Sequence, residues 1–153
     1  MSKKPFVSKE KLDEIAAQYA TPFYLYDETA IRETARRVNK AFAWNQGFKE
    51  YFAVKATPNP AILKILHEEG CGADCSSYTE LQMADAVGFK GDEIMFSSNA
   101  TPAEDFQLAR QLNVTINLDD ITHIDFLEKV ADIPDTVSCR YNPGGHFAIA
   151  NNI

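Results

Sequence analysis

The chain has 153 residues, enough for one domain with a real core. Apolar residues make up 45% and charged residues 24%, ordinary values for a soluble globular protein. A formal net charge of −7 argues against a nucleic-acid surface, which needs clustered Lys and Arg, and no apolar run approaches the roughly 18 residues of a membrane span.

Met1-Ser2-Lys3-Lys4-Pro5 has no apolar stretch of the kind a secretory signal carries. Three cysteines, an odd and low number, fit a reducing cytoplasm without a disulfide framework. A cytoplasmic protein with no nucleic-acid and no membrane partner is therefore expected.

Leu12, Ile15, Ala16 and Tyr19 predict an N-terminal helix, followed by a lead-in strand over 22–27. Further short apolar runs lie near 50–56, 71–76, 93–97, 114–118 and 136–142, with helical patterns between them. Asp27 precedes a stripe of Ile31, Ala35, Val38 and Phe42. Asn59-Pro60 joins a capping residue to proline at the first helical position. Ser77 with Glu80, and Thr101-Pro102-Ala103-Glu104, have the spacing of capping boxes. Ile121, Ile124, Leu127 and Val130 make the last stripe. Strand–helix alternation of this kind predicts an α/β fold with a parallel sheet. A closed (β/α)8 barrel of TIM type needs eight strands and about 250 residues. The expected architecture is thus either an open doubly wound sheet or a truncated barrel of about five strands.

The strongest chemical signal is Tyr51-Phe52-Ala53-Val54-Lys55-Ala56-Thr57-Pro58-Asn59-Pro60. Strand alternation would put Tyr51, Ala53 and Lys55 on one face, with Lys55 at the C-terminal end of its strand. In a barrel, that is where active sites are built. A lysine buried there tends toward the neutral amine that bonds an aldehyde cofactor. Spacing alone favours the plainer alternative, a strand-end lysine that snorkels to solvent.

Several ordered blocks resemble the alanine-racemase-like, fold-type III pyridoxal-phosphate decarboxylases. YFAVKATPNPAIL is similar to their cofactor-lysine segment, and TPFYLYDETAI to the opening of the diaminopimelate decarboxylases among them. GCGADCSSYTELQMADAVGF, EIMFSSNATPAEDFQLA and CRYNPGGH are similar to later strand–helix units. The resemblance runs from about Thr21 to the last residue and favours the truncated barrel. It divides the chain into a helix and lead-in strand (1–27) and part of a pyridoxal-phosphate-binding barrel (28–153), without the family's C-terminal β-domain.

The resemblance implies that Lys55 forms a Schiff base with pyridoxal 5'-phosphate. It places Asp74, Glu80 and Arg140 at cofactor-binding positions. Each has an alternative: a turn aspartate for Asp74, the Ser77 capping box for Glu80, and a structural ion pair for Arg140. The implied reaction is decarboxylation of meso-2,6-diaminopimelate to L-lysine, a step of lysine biosynthesis. Other readings are a decarboxylase of ornithine, arginine or carboxynorspermidine, or a non-enzymatic cofactor-binding barrel. Where the family often reads Lys-Ala-Asn, this chain has Lys55-Ala56-Thr57. The family pieces expected beyond residue 153 would leave these residues inactive alone, and open strand edges predict a homodimer or other self-association. No metal site is expected: His67, Cys71 and Cys75 lie near one another in the chain, but Cys71 and Cys75 lack a second ligand pair; His123 is expected on a surface helix, and His146 follows the Gly144-Gly145 loop.

Overall fold

The computed structural model describes residues 4–141. Helix α1 (Lys9–Gln18) is capped by Ser8, whose Oγ accepts from the Lys11 amide, but it buries none of its residues. The segment 22–26 forms no strand and joins no sheet, so the lead-in strand expected over 22–27 is absent. Its aromatics Tyr24 and Tyr26 stack on each other, with centroids 6.3 Å apart, and both are exposed. Apolar content in this stretch serves local stacking and a groove wall instead of a sheet.

Helix α2 (Glu28–Ala41) begins where expected, with the Asp27 carboxylate accepting from the Ala30 amide at 3.1 Å. Strand β1 (Tyr51–Ala53) is short, and Val54–Ala56 form a single 3-10 turn. Helix α3 (Pro60–Glu68) starts on Asn59, whose Oδ1 accepts from the Ala61 amide at 2.9 Å. Gly70 then turns the chain at φ +83°, a conformation a Cβ disfavours. The remaining units are β2 (Gly72–Cys75), α4 (Tyr78–Val87), β3 (Ile94–Ser97), α5 (Ala103–Gln111), β4 (Thr115–Leu118), α6 (Thr122–Ala131) and β5 (Ser138–Cys139). The box predicted at Thr101 does not form: α5 starts after Pro102, and the Thr101 hydroxyl donates to the Ser98 carbonyl instead.

The five strands are parallel and lie in sequence order, β1-β2-β3-β4-β5. A doubly wound sheet would reverse direction at a switch point and carry helices on both faces. Here every strand adds to the same edge. The helices share one core with alternate strand residues: Ala73, Cys75, Ile94, Phe96, Ile116 and Leu118 are buried against Leu63, Leu81, Phe106 and Leu127. Strands added in sequence order to one edge, with their helices packed on a single face, make this an arc of a (β/α) barrel. The alternate positions Ala53, Asp74, Met95, Ser97, Thr115 and Asn117 form the other face and are only half-buried.

Two local contacts fix the arc's first edge. At Gly72, opposite Tyr51, a Cβ would meet the Tyr51 ring at 2.6 Å and the Glu93 carbonyl oxygen at 2.7 Å, so only glycine lets these segments approach. Behind the sheet, Glu69 at the end of α3 binds two arginines of α2. Its carboxylate accepts from Arg36 Nε at 2.7 Å and from Arg32 Nη1 at 3.0 Å. Bonds from Arg36 and then Arg32 hold the Glu69 carboxyl below the usual carboxylate range. A depressed folded-state pKa stabilises the fold above the unfolded value of about 4.3, and that contribution is lost as pH falls through the depressed value. Glu69→Gln is therefore expected to lower the melting temperature at pH 7, with the gap to the parent chain narrowing below about pH 4. Thermal unfolding across that range, read by circular dichroism, checks this; a gap independent of pH would contradict it.

Candidate cofactor-binding site

The C-terminal rim of the arc is set by where each strand stops. On β1 the alternation ends early. Val54 is fully buried, and the chain then tightens into the 3-10 turn, which carries Lys55 out to solvent. Lys55 is thus at the strand's C-terminal end, as expected, but it is exposed. It is neither the next inward strand residue nor buried in these 153 residues, because the turn breaks the period-2 pattern after Ala53. No described residue hydrogen-bonds or ion-pairs with its amine.

Asp74 is next along the rim. It pairs in register with Ala53 on β1 and Met95 on β3. Its Oδ1 accepts a 2.5 Å hydrogen bond from the hydroxyl of Ser97, which the sequence reading missed. The period-2 pattern of β3 could have signalled Ser97: Met95 and Ser97 alternate with the apolar Ile94 and Phe96. Asp74 is therefore a strand residue on the open face, not a turn aspartate.

Glu80 lies in the first turn of α4. The Ser77 hydroxyl accepts from the Glu80 amide at 3.4 Å, as a cap should. The reciprocal half is displaced by one residue: the Glu80 carboxylate accepts from the amide of Ser76 at 2.7 Å and from its hydroxyl at 3.1 Å. Glu80 thus ties down the β2–α4 turn. A second carboxylate reaches the same turn from α5, where buried Asp105 accepts from the Tyr78 amide at 3.1 Å. Burial raises the Asp105 carboxyl above its usual range, against the opposing pull of that amide. The Asp105 contact, too, was not legible in the sequence.

Arg140 follows β5. Its amide donates to the Leu118 carbonyl, and its guanidinium pairs with Asp119 at 2.5 Å while remaining 53% exposed. Next to it on the open face the Ser138 hydroxyl donates to Asn117 Oδ1 at 2.7 Å. The rim thus runs from Lys55 through Asp74 and Ser97 to Asn117, Ser138 and Arg140.

The other candidates fall elsewhere. Cys71 and Cys75 are buried on the helix side, and burial pushes the Cys75 thiol up to about 12, far from a reactive thiolate. His67 packs on Phe89 and contacts Glu93 at 3.3 Å. His123 is partly buried, edge-on to Phe106, and not simply on a surface helix. Among the described residues no three His, Cys, Asp or Glu side chains gather as a metal would require, and no helix is long and apolar enough to cross a membrane. His146 and the Asn-Pro-Gly stretch lie outside the described residues. An apolar groove of about 550 Å³ flanks β1, lined by Ile31, Ala35, Val38, Phe52, Ile62 and Leu66 among others.

These residues suit the aldehyde group of a cofactor: a lysine without a partner among the described residues, a carboxylate one strand away, and no large side chain at Ala53 between them. The chain is 47% identical to the protein TabA of Pseudomonas amygdali pv. tabaci over 137 residues, covering 90% of this chain and 32% of TabA. It is 37% identical over 131 residues to the diaminopimelate decarboxylase of Methanothermobacter thermautotrophicus, covering 85% and 31%. Its fold superimposes on the crystal structure of the Helicobacter pylori diaminopimelate decarboxylase complexed with L-lysine with a TM-score of 0.67 at 32% identity, covering 78% and 30%. The chain thus spans about a third of the length of these relatives. The model of the pyridoxal-dependent decarboxylases' pyridoxal-binding domain matches residues 28–150, and with the barrel arc and its lysine-bearing rim this places the chain in that pyridoxal-phosphate-dependent family.

Proposed function

We propose that Lys55 is the residue that holds pyridoxal phosphate, in an enzyme that decarboxylates meso-2,6-diaminopimelate to L-lysine. The observation that carries this is a lysine amine at the C-terminal end of the first barrel strand, unpartnered among the described residues, in a chain of a pyridoxal-dependent family. The 1–27 segment is then a lead-in, and 28–153 belongs to the cofactor-binding barrel. Pyridoxal phosphate, when bound, supplies an electron-poor ring that takes up the electron pair left behind as carbon dioxide departs.

The chain's own residues would bind and orient. The Lys55 amine, without a hydrogen-bond partner among the described residues, would be available to bond the cofactor's aldehyde carbon. The Asp74 carboxylate sits on the adjacent strand, where its charge would hold a proton on a nearby nitrogen. Glu80 would serve at the cofactor chiefly through the Ser76 turn, since its carboxylate is engaged there. Arg140 would present positive charge at the far end of the rim, steadied by Asp119.

Loss of one carboxyl from diaminopimelate leaves lysine, the molecule bound in the Helicobacter pylori relative.

Incubation with pyridoxal phosphate followed by borohydride is expected to fix the cofactor on Lys55 as a stable secondary amine, located by peptide mass mapping. Label spread evenly over the surface lysines would refute the assignment. The 153 residues by themselves are expected to release no carbon dioxide from diaminopimelate above background, because they span only a third of the relatives' length; a steady rate from the purified chain would overturn that. Among the described residues β1 pairs only with β2, and its free edge adjoins the apolar groove. Self-association is proposed on this ground. Sedimentation equilibrium should give a mass above the 17.1 kDa of one chain, and a monomer at high concentration would count against it.

A further inference from the structure

We infer that Ser97 is a positioning residue for the cofactor site, acting through Asp74; this rests on the reading of Lys55 above. Ser97 lies on the open face of β3, two residues nearer the rim than Met95, the register partner of Asp74. It therefore reaches Asp74 diagonally, from the rim side. Its hydroxyl donates to Oδ1, and a hydrogen bond to a carboxylate is of the charge-assisted kind. The described residues offer no hydrogen bond to Oδ2. On the β1 side the register partner of Asp74 is Ala53, whose methyl group leaves the space toward Lys55 open.

A carboxylate on a bare sheet face has freedom about both side-chain torsions, and long-range order at a cofactor site requires that freedom to be removed. Ser97 removes it by fixing one oxygen. The other oxygen is then held in one orientation on the open face, without a described donor of its own. Had β3 carried alanine or valine here, β-sheet packing would be unchanged on the helix side, because Ser97 faces away from Phe96 and the core. The hydroxyl is thus not needed by the core, whereas Asp74 has no other described donor.

The test uses the chain with pyridoxal phosphate itself as probe and reads the concentration that gives half-maximal borohydride-fixed label on Lys55. Thr and Val are matched in shape, so Ser97→Thr and Ser97→Val compare a hydroxyl with a methyl group at equal bulk. The valine variant is expected to raise that concentration by about tenfold, the scale of one lost charge-assisted bond, while the threonine variant stays within about threefold of the parent. In an Asp74→Asn background, Ser97→Val should add less than about twofold, since both changes remove the same arrangement. Equal labelling of the threonine and valine variants, or a full tenfold loss added on top of Asp74→Asn, would overturn the inference and leave the Lys55 reading standing. Absence of Lys55 label in the parent chain would overturn both.

Discussion

Burial of one face of a parallel sheet is the constraint on which everything else here depends. Ala73, Cys75, Ile94, Phe96, Ile116 and Leu118 point toward the helices and are almost fully removed from water. Ile94, Phe96, Ile116 and Leu118 each contribute about 1.5–3 kcal/mol, and the whole set fixes the strand register, because a one-residue slip would turn it outward. Once that face is committed, the alternate residues have no choice. Asp74, Met95, Ser97, Thr115 and Asn117 must line the opposite face. The polar character of that face, with its Ser97–Asp74 and Ser138–Asn117 pairs, follows from the packing of the other.

The helix starts translate this sheet into a rim. Asp27, Asn59 and Ser77 each satisfy an amide that a helix N-terminus would otherwise leave open. At α4 the turn is tied from two further directions, by Glu80 within the helix and by Asp105 from the next one. The β2–α4 turn is consequently the most heavily anchored point of the rim, while Lys55, on the neighbouring turn, has no anchor among the described residues. A fixed acidic side and a free amine are what a covalently held, electron-accepting cofactor would use: the one orients, the other must bond and let go.

Much of this was legible in the chain itself. The five strand positions, the caps at Asp27, Asn59 and Ser77, and the placement of Lys55 at a strand end all follow from periodicity and local capping chemistry, and the family from ordered blocks of residues. The stretch 22–27 misled because apolar and aromatic residues suit a strand equally well as a stacked segment outside the sheet. Thr101 misled because α5 takes Pro102 as its N-cap, which leaves Thr101 one residue outside the helix with its hydroxyl turned back to the Ser98 carbonyl. Lys55 reaches solvent, the plainer of the two readings its spacing offered, because Val54 enters the core and the backbone tightens there into a 3-10 turn.

By itself, then, the sequence determined what is local: where strands and helices lie, which amides are capped, and which family pattern the chain follows. Sequential strand order, the choice of face and the partners of the site residues were decided only in three dimensions. Ser97 lies 23 positions from Asp74, and Arg140 lies 21 from Asp119. No periodicity connects such pairs. They meet because register brings neighbouring strands level, and register is set by the buried face, a property of the whole sheet and of no segment alone.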